Sequence, residues 1–149
     1  AGRVTTGVLP GPFVTIVTTQ NRDVRIAVDF QEVWKDVRNT ERSFPMTCVV
    51  VSKDFSASHP EAVRRYLDAY RRSIEWVKAN PAPAGGLAEK HGLGLKAAVA
   101  AQAVPRLNLT FASGERAREL MEPYLQVLLD FDPSSIGGKL PDEGFYTGE

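Results

Sequence analysis

Cysteine is nearly absent from this sequence. The single residue, Cys48, excludes an internal disulfide and any multi-cysteine metal site. Histidine is scarce as well: His59 and His91 are the only two, and two separated histidines form no metal motif. Cys48 itself lies in an apolar run, where a cysteine is normally an inert core residue. We therefore predict no catalytic residue, no metal site and no cofactor.

Net charge and long apolar runs are also missing. Lys plus Arg and Asp plus Glu number 18 each, so the chain has no electrostatic footprint for nucleic acid or for an anionic membrane. No apolar run is long enough to span a membrane, and no signal peptide is visible. What the chain does have is 43% apolar residues in a length of 149, which predicts a globular domain with a sizeable core.

One stretch, Ser43–Pro81, carries the clearest structural signals. Met46–Val51 is a short, β-branched apolar run, which is typical of a buried strand. Ser58 and Glu61 have the spacing of a capping box, and apolar residues then recur at helical intervals. This pattern predicts a long helix over Pro60–Ala79.

The flanking sequence alternates between strand and helix patterns and then becomes helical. Two further apolar, β-branched runs predict strands at Val4–Val8 and Val24–Phe30. The other predicted helices cover Gln31–Asn39, Ala84–Lys90, Leu95–Val104 and Gly114–Asp130, the last capped by Ser113 and kinked or split by Pro123. Alternation of this kind predicts an α/β layer architecture, and we expect the Gly- and Pro-rich tail, Ser134–Glu149, to lie on its neighbours.

The same stretch resembles a known family. A strand, the connector Ser-Lys-Asp-Phe, the sequence His-Pro-Glu-Ala-Val and a long helix closing in Ala-Asn-Pro are similar to the second half of a periplasmic solute-binding protein. The similarity is to the ABC-transporter family that includes the nitrate, sulfonate, taurine and thiamine-precursor binders. Support comes from the Leu9–Phe13 turn and from the Ile136–Tyr146 tail.

This resemblance implies an incomplete type II periplasmic-binding-protein-like fold, the later half of two lobes with a helix-rich C-terminal part. Residues 1–51 would form part of the second lobe, and residues 52–149 would hold the long helix and the helices that return toward the first lobe. The resemblance also favours a helix starting at Pro12–Phe13, whereas the β-branched run Val14–Thr19 taken alone favours a second strand. We predict the helix.

The implied function is the capture of a small solute and its delivery to an ABC permease, without catalysis. The implied location is the periplasm, or the cell exterior with a lipid anchor in Gram-positive bacteria. Two alternatives remain open: a ligand-sensing effector module of a transcription regulator, and a pyrimidine-synthase-like enzyme. The second would need a cysteine-rich motif, and Cys48 stands alone.

Ligand sites in α/β folds lie at the carboxyl ends of strands and at helix N-termini, where free N–H groups attract anions. In the family that this chain resembles, the turn matching Leu9–Phe13 lies at the cleft and often carries an acidic residue where this chain has Gly11. The second candidate place is the entry to the central strand. The predicted ligand-binding residues are Pro10, Gly11, Pro12, Phe13, Ser43, Phe44 and Thr47.

The resemblance also implies a fragment, because family members are about twice this length and have a first lobe with no counterpart here. A half-fold leaves apolar surface and strand edges that the absent part would cover. We therefore expect the chain to associate with itself as a two-fold homodimer, or with a separate clipped chain that carries the missing lobe.

Overall fold

The structure is a computed structural model that describes residues 4–147. Helix, including the short 3₁₀ turns, accounts for 62% of the described residues. The α-helices are α1 (Gly11–Gln20), α2 (Phe30–Arg38), α3 (Lys53–Ser58), α4 (Pro60–Ala79), α5 (Pro81–Lys90), α6 (Ala97–Ala103) and α7 (Gly114–Phe131). Short 3₁₀ turns cover Val104–Arg106, Pro133–Ile136 and Glu143–Phe145. The two 3₁₀ turns after α7 occupy part of the predicted tail, whose last two residues lie outside the described range.

The predicted α/β fold is wrong, because residues 4–147 contain helices and no strand. The three predicted strands, Val4–Val8, Val24–Phe30 and Met46–Val51, fall in segments that are neither helix nor strand, apart from Phe30, which begins α2. The physical reason is that β propensity is expressed through packing against neighbouring strands. Without a ladder partner in the described part of the chain, a β-branched run does not become a strand. The type II periplasmic-binding-protein-like architecture is therefore overturned.

The helix predictions fare better. The long helix α4 covers Pro60–Ala79 as predicted. The contested run after Pro12 is helical, so the predicted helix is confirmed there and local β propensity does not decide the structure of this segment. The free-energy cost of placing these β-branched residues in a helix is small, because two threonine hydroxyls bond to the helix backbone. Thr15 Oγ1 donates to the Gly11 carbonyl at 3.3 Å, and Thr18 Oγ1 donates to the Val14 carbonyl at 2.9 Å. Thr15 is also buried.

The predicted capping box at Ser58 is wrong. Ser58 is the last residue of α3, and its hydroxyl donates to the Asp54 carbonyl. Glu61 pairs forward along α4 with Arg64 and Arg65. The sequence pattern missed α3, which begins where Ser52 Oγ accepts the Phe55 N–H at 3.2 Å.

The chain divides into two compact units, each built from two stretches of sequence. Unit 1 comprises residues 4–28 and 72–110, and unit 2 comprises residues 29–71 and 111–147. In unit 1, α6 packs against α5 and α1, and the buried apolar residues are Ile74, Ala100, Ala103 and Val104. In unit 2, α7 packs against the Pro133–Ile136 turn. The predicted boundary between residues 51 and 52 stays a prediction.

Candidate functional site

The first predicted binding group, Pro10 to Phe13, forms the start of α1 in unit 1. The Pro10 carbonyl accepts the N–H of Phe13 at 3.0 Å and that of Val14 at 3.1 Å. Pro12 has no N–H. The amide of Gly11 is therefore a first-turn donor with no acceptor among the described residues. This turn can offer one backbone hydrogen bond to a ligand.

The charge at the start of α1 is not compensated locally. The first turn has no acidic residue, and no side chain caps it, so the positive end of the helix dipole favours an anion by about 0.3–1 kcal/mol. Gly11 lies against Leu107, since a Cβ on Gly11 would stand 3.3 Å from Leu107 Cδ2. Leu107 follows the 3₁₀ turn that ends at Arg106, an exposed residue with no ion pair among the described residues. Phe13 is 54% exposed and offers apolar surface at the same turn.

The second predicted group, Ser43, Phe44 and Thr47, lies in unit 2. Gln31 holds the backbone of Phe44 on both sides: its Oε1 accepts the Phe44 N–H at 2.9 Å, and its Nε2 donates to the Phe44 carbonyl at 3.1 Å. Ser43 is half-buried and Thr47 is exposed in the irregular segment that follows.

The ring of Phe44 belongs to a cluster of three aromatic side chains. It stacks on Tyr124 with 5.3 Å between centroids and meets Trp34 edge-on at 5.6 Å, while Trp34 and Tyr124 are 5.9 Å apart. The Arg38 guanidinium lies over the Trp34 ring, with its carbon 5.4 Å from the ring centroid. Since the rings fill one another's faces and edges, Phe44 has a structural role. Ligand binding at either predicted group stays a prediction.

A charged cluster in unit 2 was not predicted. Arg118 Nε donates to Glu122 at 2.7 Å, and its Nη1 lies 3.8 Å from both Glu115 and Glu143. The hydrogen bond to Glu122, followed by the charges of the three carboxylates, raises the pKa of Arg118. The Tyr146 hydroxyl is buried without a hydrogen-bond partner, and burial raises the pKa of Tyr146, with a smaller contribution from Glu122. Both groups are therefore protonated at neutral pH and do not serve as bases.

The tail of unit 2 folds around a small open groove of about 290 Å³. That volume is near the lower end for a small-molecule pocket. The groove is lined by Ile136, Gly137, Lys139, Leu140, Pro141, Asp142 and Phe145. The sequence pattern missed it because its shape depends on the turns after α7, where Gly137 and Gly138 adopt φ of 77° and 84°.

The cysteine and the two histidines each lie in a different local environment. Cys48, predicted to be a core residue, is exposed instead. His59 stacks on Phe55 with 4.7 Å between ring centroids, and His91 ends α5 as its C-cap residue. Within residues 4–147 no three His, Cys, Asp or Glu side chains come together in a way that could hold a metal ion. No helix in this part of the chain is long and apolar enough to cross a membrane.

Comparison of this chain with protein-family models, with curated proteins and with solved structures finds no match.

Proposed function

We propose that this chain binds a small anionic solute and delivers it to an ABC permease. The observation that carries the proposal is the helix that begins at Gly11. Local propensity favours a strand after Pro12, the resemblance to the solute-binding family favours a helix, and α1 is a helix. The type II fold is not part of the proposal. The proposed function is supported by the two elements on which the resemblance and the structure agree, α1 and α4.

The chemistry at the start of α1 favours an anion over a neutral solute. The Gly11 amide has no acceptor among the described residues and the helix dipole is uncompensated there, and Arg106 immediately precedes Leu107, the residue that lies against Gly11. These contributions are small, because the dipole is worth about 0.3–1 kcal/mol and an exposed ion pair adds little. Millimolar affinity already requires about 4 kcal/mol. An organic anion with an apolar body, such as an alkanesulfonate, gains the remainder by burying Phe13, whereas nitrate does not.

Titration calorimetry of the purified protein tests this assignment. We expect methanesulfonate, ethanesulfonate and butanesulfonate to bind with rising affinity, and chloride to show no heat of binding. Substituting Arg106→Gln should weaken binding by about fivefold, which corresponds to the upper range of an exposed charge pair. The matched control is Lys90→Gln, which removes the same charge from the same unit at the end of α5. Equal effects of the two substitutions would show that Arg106 makes no specific contribution to binding.

Native mass spectrometry of the protein purified from its host provides the second test. A retained ligand appears as a discrete added mass, which identifies the solute class directly. A protein that carries no ligand, and that binds neither sulfonates nor nitrate on titration, would contradict the proposal.

A further inference from the structure

In the segment from Val24 to Asp29, between α1 and α2, the backbone groups of residues 25–28 have no hydrogen-bond partner among the described residues, whereas the Asp29 carbonyl accepts the Val33 N–H at 3.1 Å. It forms neither helix nor strand, and each of its residues is exposed. The turn before it closes with the Val24 N–H on the Asn21 carbonyl at 3.2 Å, and residues 25–28 make no hydrogen bond to any other described residue. Asp29 is already in the β region, with φ −101° and ψ 113°. A row of free N–H and C=O groups of this kind is a template for pairing with another chain.

The side chains of this segment alternate strictly between apolar and other residues. Val24, Ile26 and Val28 are apolar, and their exposed fractions are 39, 51 and 57%. Arg25, Ala27 and Asp29 occupy the alternate positions. Since successive side chains of a strand point to opposite faces, an extended segment would carry one apolar face and one face with a positive end and a negative end.

That pattern is self-complementary under two-fold symmetry. In an antiparallel pair centred on Ala27, Arg25 lies opposite Asp29 of the second copy, and Asp29 lies opposite its Arg25. Ile26 lies opposite Val28 of the second copy on the apolar face. Both charges are available: Arg25 has no ion pair among the described residues, and Asp29 uses only Oδ1 to accept the Gln31 N–H at 2.9 Å.

Other registers within the segment lose this match, and a pair centred on Val24, which would place Arg25 opposite Asp23, requires Asp23 to leave the turn in which the Val24 N–H donates to the Asn21 carbonyl. Centring the pair on Ile26 places Asp23 opposite Asp29 of the second copy, which juxtaposes like charges. Centring it on Val28 leaves Arg25 and Asp29 without opposite charges across the strand. A shift by one residue places charged side chains opposite apolar ones, and a parallel pair in register places Arg25 opposite Arg25.

We propose that Val24–Asp29 pairs antiparallel with the same segment of a second copy of this chain, about a two-fold axis at Ala27. The charge pattern selects this occupant, because an unrelated strand would need a matching pair of opposite charges at the same spacing. The interface is isologous: each residue and its opposite exchange roles across the axis. The expected solution mass is twice 16.3 kDa.

Charge-swap variants test the pairing by sedimentation equilibrium. Arg25→Glu places two carboxylates opposite each other twice in the homodimer, and Asp29→Lys does the same with two cations. Each variant alone should show a dissociation constant at least about tenfold above that of the unchanged protein. Mixed in equal amounts, they form Glu–Lys and Arg–Asp pairs, so the mixture should dimerise again. A monomeric unchanged protein, or a mixture no tighter than its separate variants, would overturn the proposal.

The role of Asp29 as the N-cap of α2 requires a control. Asp29→Asn keeps a capping acceptor and removes the charge, so circular dichroism should show unchanged helix while the dimer weakens. If Asp29→Lys fails to fold, Arg25→Glu and Asp29→Asn still decide the question, because both must weaken the dimer. Tight dimers from both would exclude the register.

Crosslinking locates the axis independently. In a Cys48→Ser background, Ala27→Cys places two thiols opposite each other across the pair, within reach of a short bis-maleimide reagent. Val24→Cys is the matched control, since its two copies would lie roughly 20 Å apart along the strands. Efficient crosslinking at position 27 and little at position 24 is the expected result. The reverse, or equal yields at both positions, would contradict the pairing.

Discussion

At the scale of single residues, Gly85 is a point of close contact between α5 and α6 in unit 1. It is buried, and a Cβ at this position would overlap the Ala97 carbonyl oxygen and stand 3.1 Å from the Ala101 Cβ. Gly86, the next residue of the same helix, has no atom within 4 Å of such a Cβ. Alanine substitutions at these two positions therefore distinguish the effect of packing, at Gly85, from that of helix propensity, at Gly86.

We expect Gly85→Ala to lower the free energy of unfolding by about 1–3 kcal/mol, because the interhelix contact would be overpacked. Gly86→Ala should raise it by about 0.5–1 kcal/mol, because alanine is the better helix former. Urea denaturation of both variants measures the difference. Two stabilised variants would mean that α5 and α6 do not pack as described.

Glu89 predicts a pH dependence for unit 1. Its Oε1 accepts from Lys96 Nζ at 2.8 Å, and its Oε2 accepts the Ala97 N–H at 2.8 Å, at the start of α6. The hydrogen bond from Lys96, and then the one from Ala97, lower the pKa of Glu89. A carboxyl whose pKa is lowered by folding contributes stability above its unfolded pKa, and this contribution is lost as the pH falls through the folded value.

Glu89→Gln should therefore lower the melting temperature at pH 7 and reduce the further loss between about pH 5 and pH 3. Glu75→Gln is the control, because the exposed Glu75 carboxylate makes no ion pair among the described residues. Differential scanning calorimetry across this pH range gives both curves. A Glu89→Gln variant whose melting temperature falls in parallel with that of the unchanged protein would contradict the role of Glu89.

At the scale of elements, Pro123 lies inside α7 without dividing it, so the predicted split does not occur and the kink stays a prediction. A proline in the helix interior removes one backbone hydrogen bond and costs about 3 kcal/mol, partly offset by its restriction of the unfolded chain. Pro123→Ala should therefore stabilise the protein by about 2 kcal/mol. Pro81→Ala, at the first position of α5, should give no gain, since no hydrogen bond is lost there. Thermal denaturation compares the two.

Helices α2, α4 and α7 were predictable from sequence because their signals are local, whereas α3 was missed and the local signal at α1 favoured a strand. In α4 the apolar residues recur at helical spacing, and in α2 the aromatic and valine residues lie on one side of the helix. Both patterns can be recognised without knowing which distant residues pack against them. The strands were not predictable, because a run such as Met46–Val51 becomes a strand only beside another strand. The contacts of the candidate sites were likewise out of reach: the bonds between Gln31 and Phe44, and the contact of Gly11 with Leu107, join residues far apart in the sequence.

At the scale of the whole molecule, apolar residues are abundant but few are buried. The composition predicted a sizeable core, yet the buried apolar residues of the described chain are Ile74 and three small residues near the end of α6. Met46, Val50 and Phe30 are more than half exposed. Apolar surface of this extent favours association, which agrees with the predicted homodimer and stays a prediction until the solution mass is measured.

Because unit 1 is built from two separate stretches of sequence, its helices cannot all pack together as soon as they are synthesised. α1 packs against α6, and at about 5–20 residues per second the chain between Gln20 and Ala97 takes roughly 4 to 15 s to synthesise. An isolated helix of this length is marginal in water, and the β-branched residues of the run Val14–Thr19 lower its helix propensity further. We therefore expect α1 to become a stable helix only after α6 has left the ribosome.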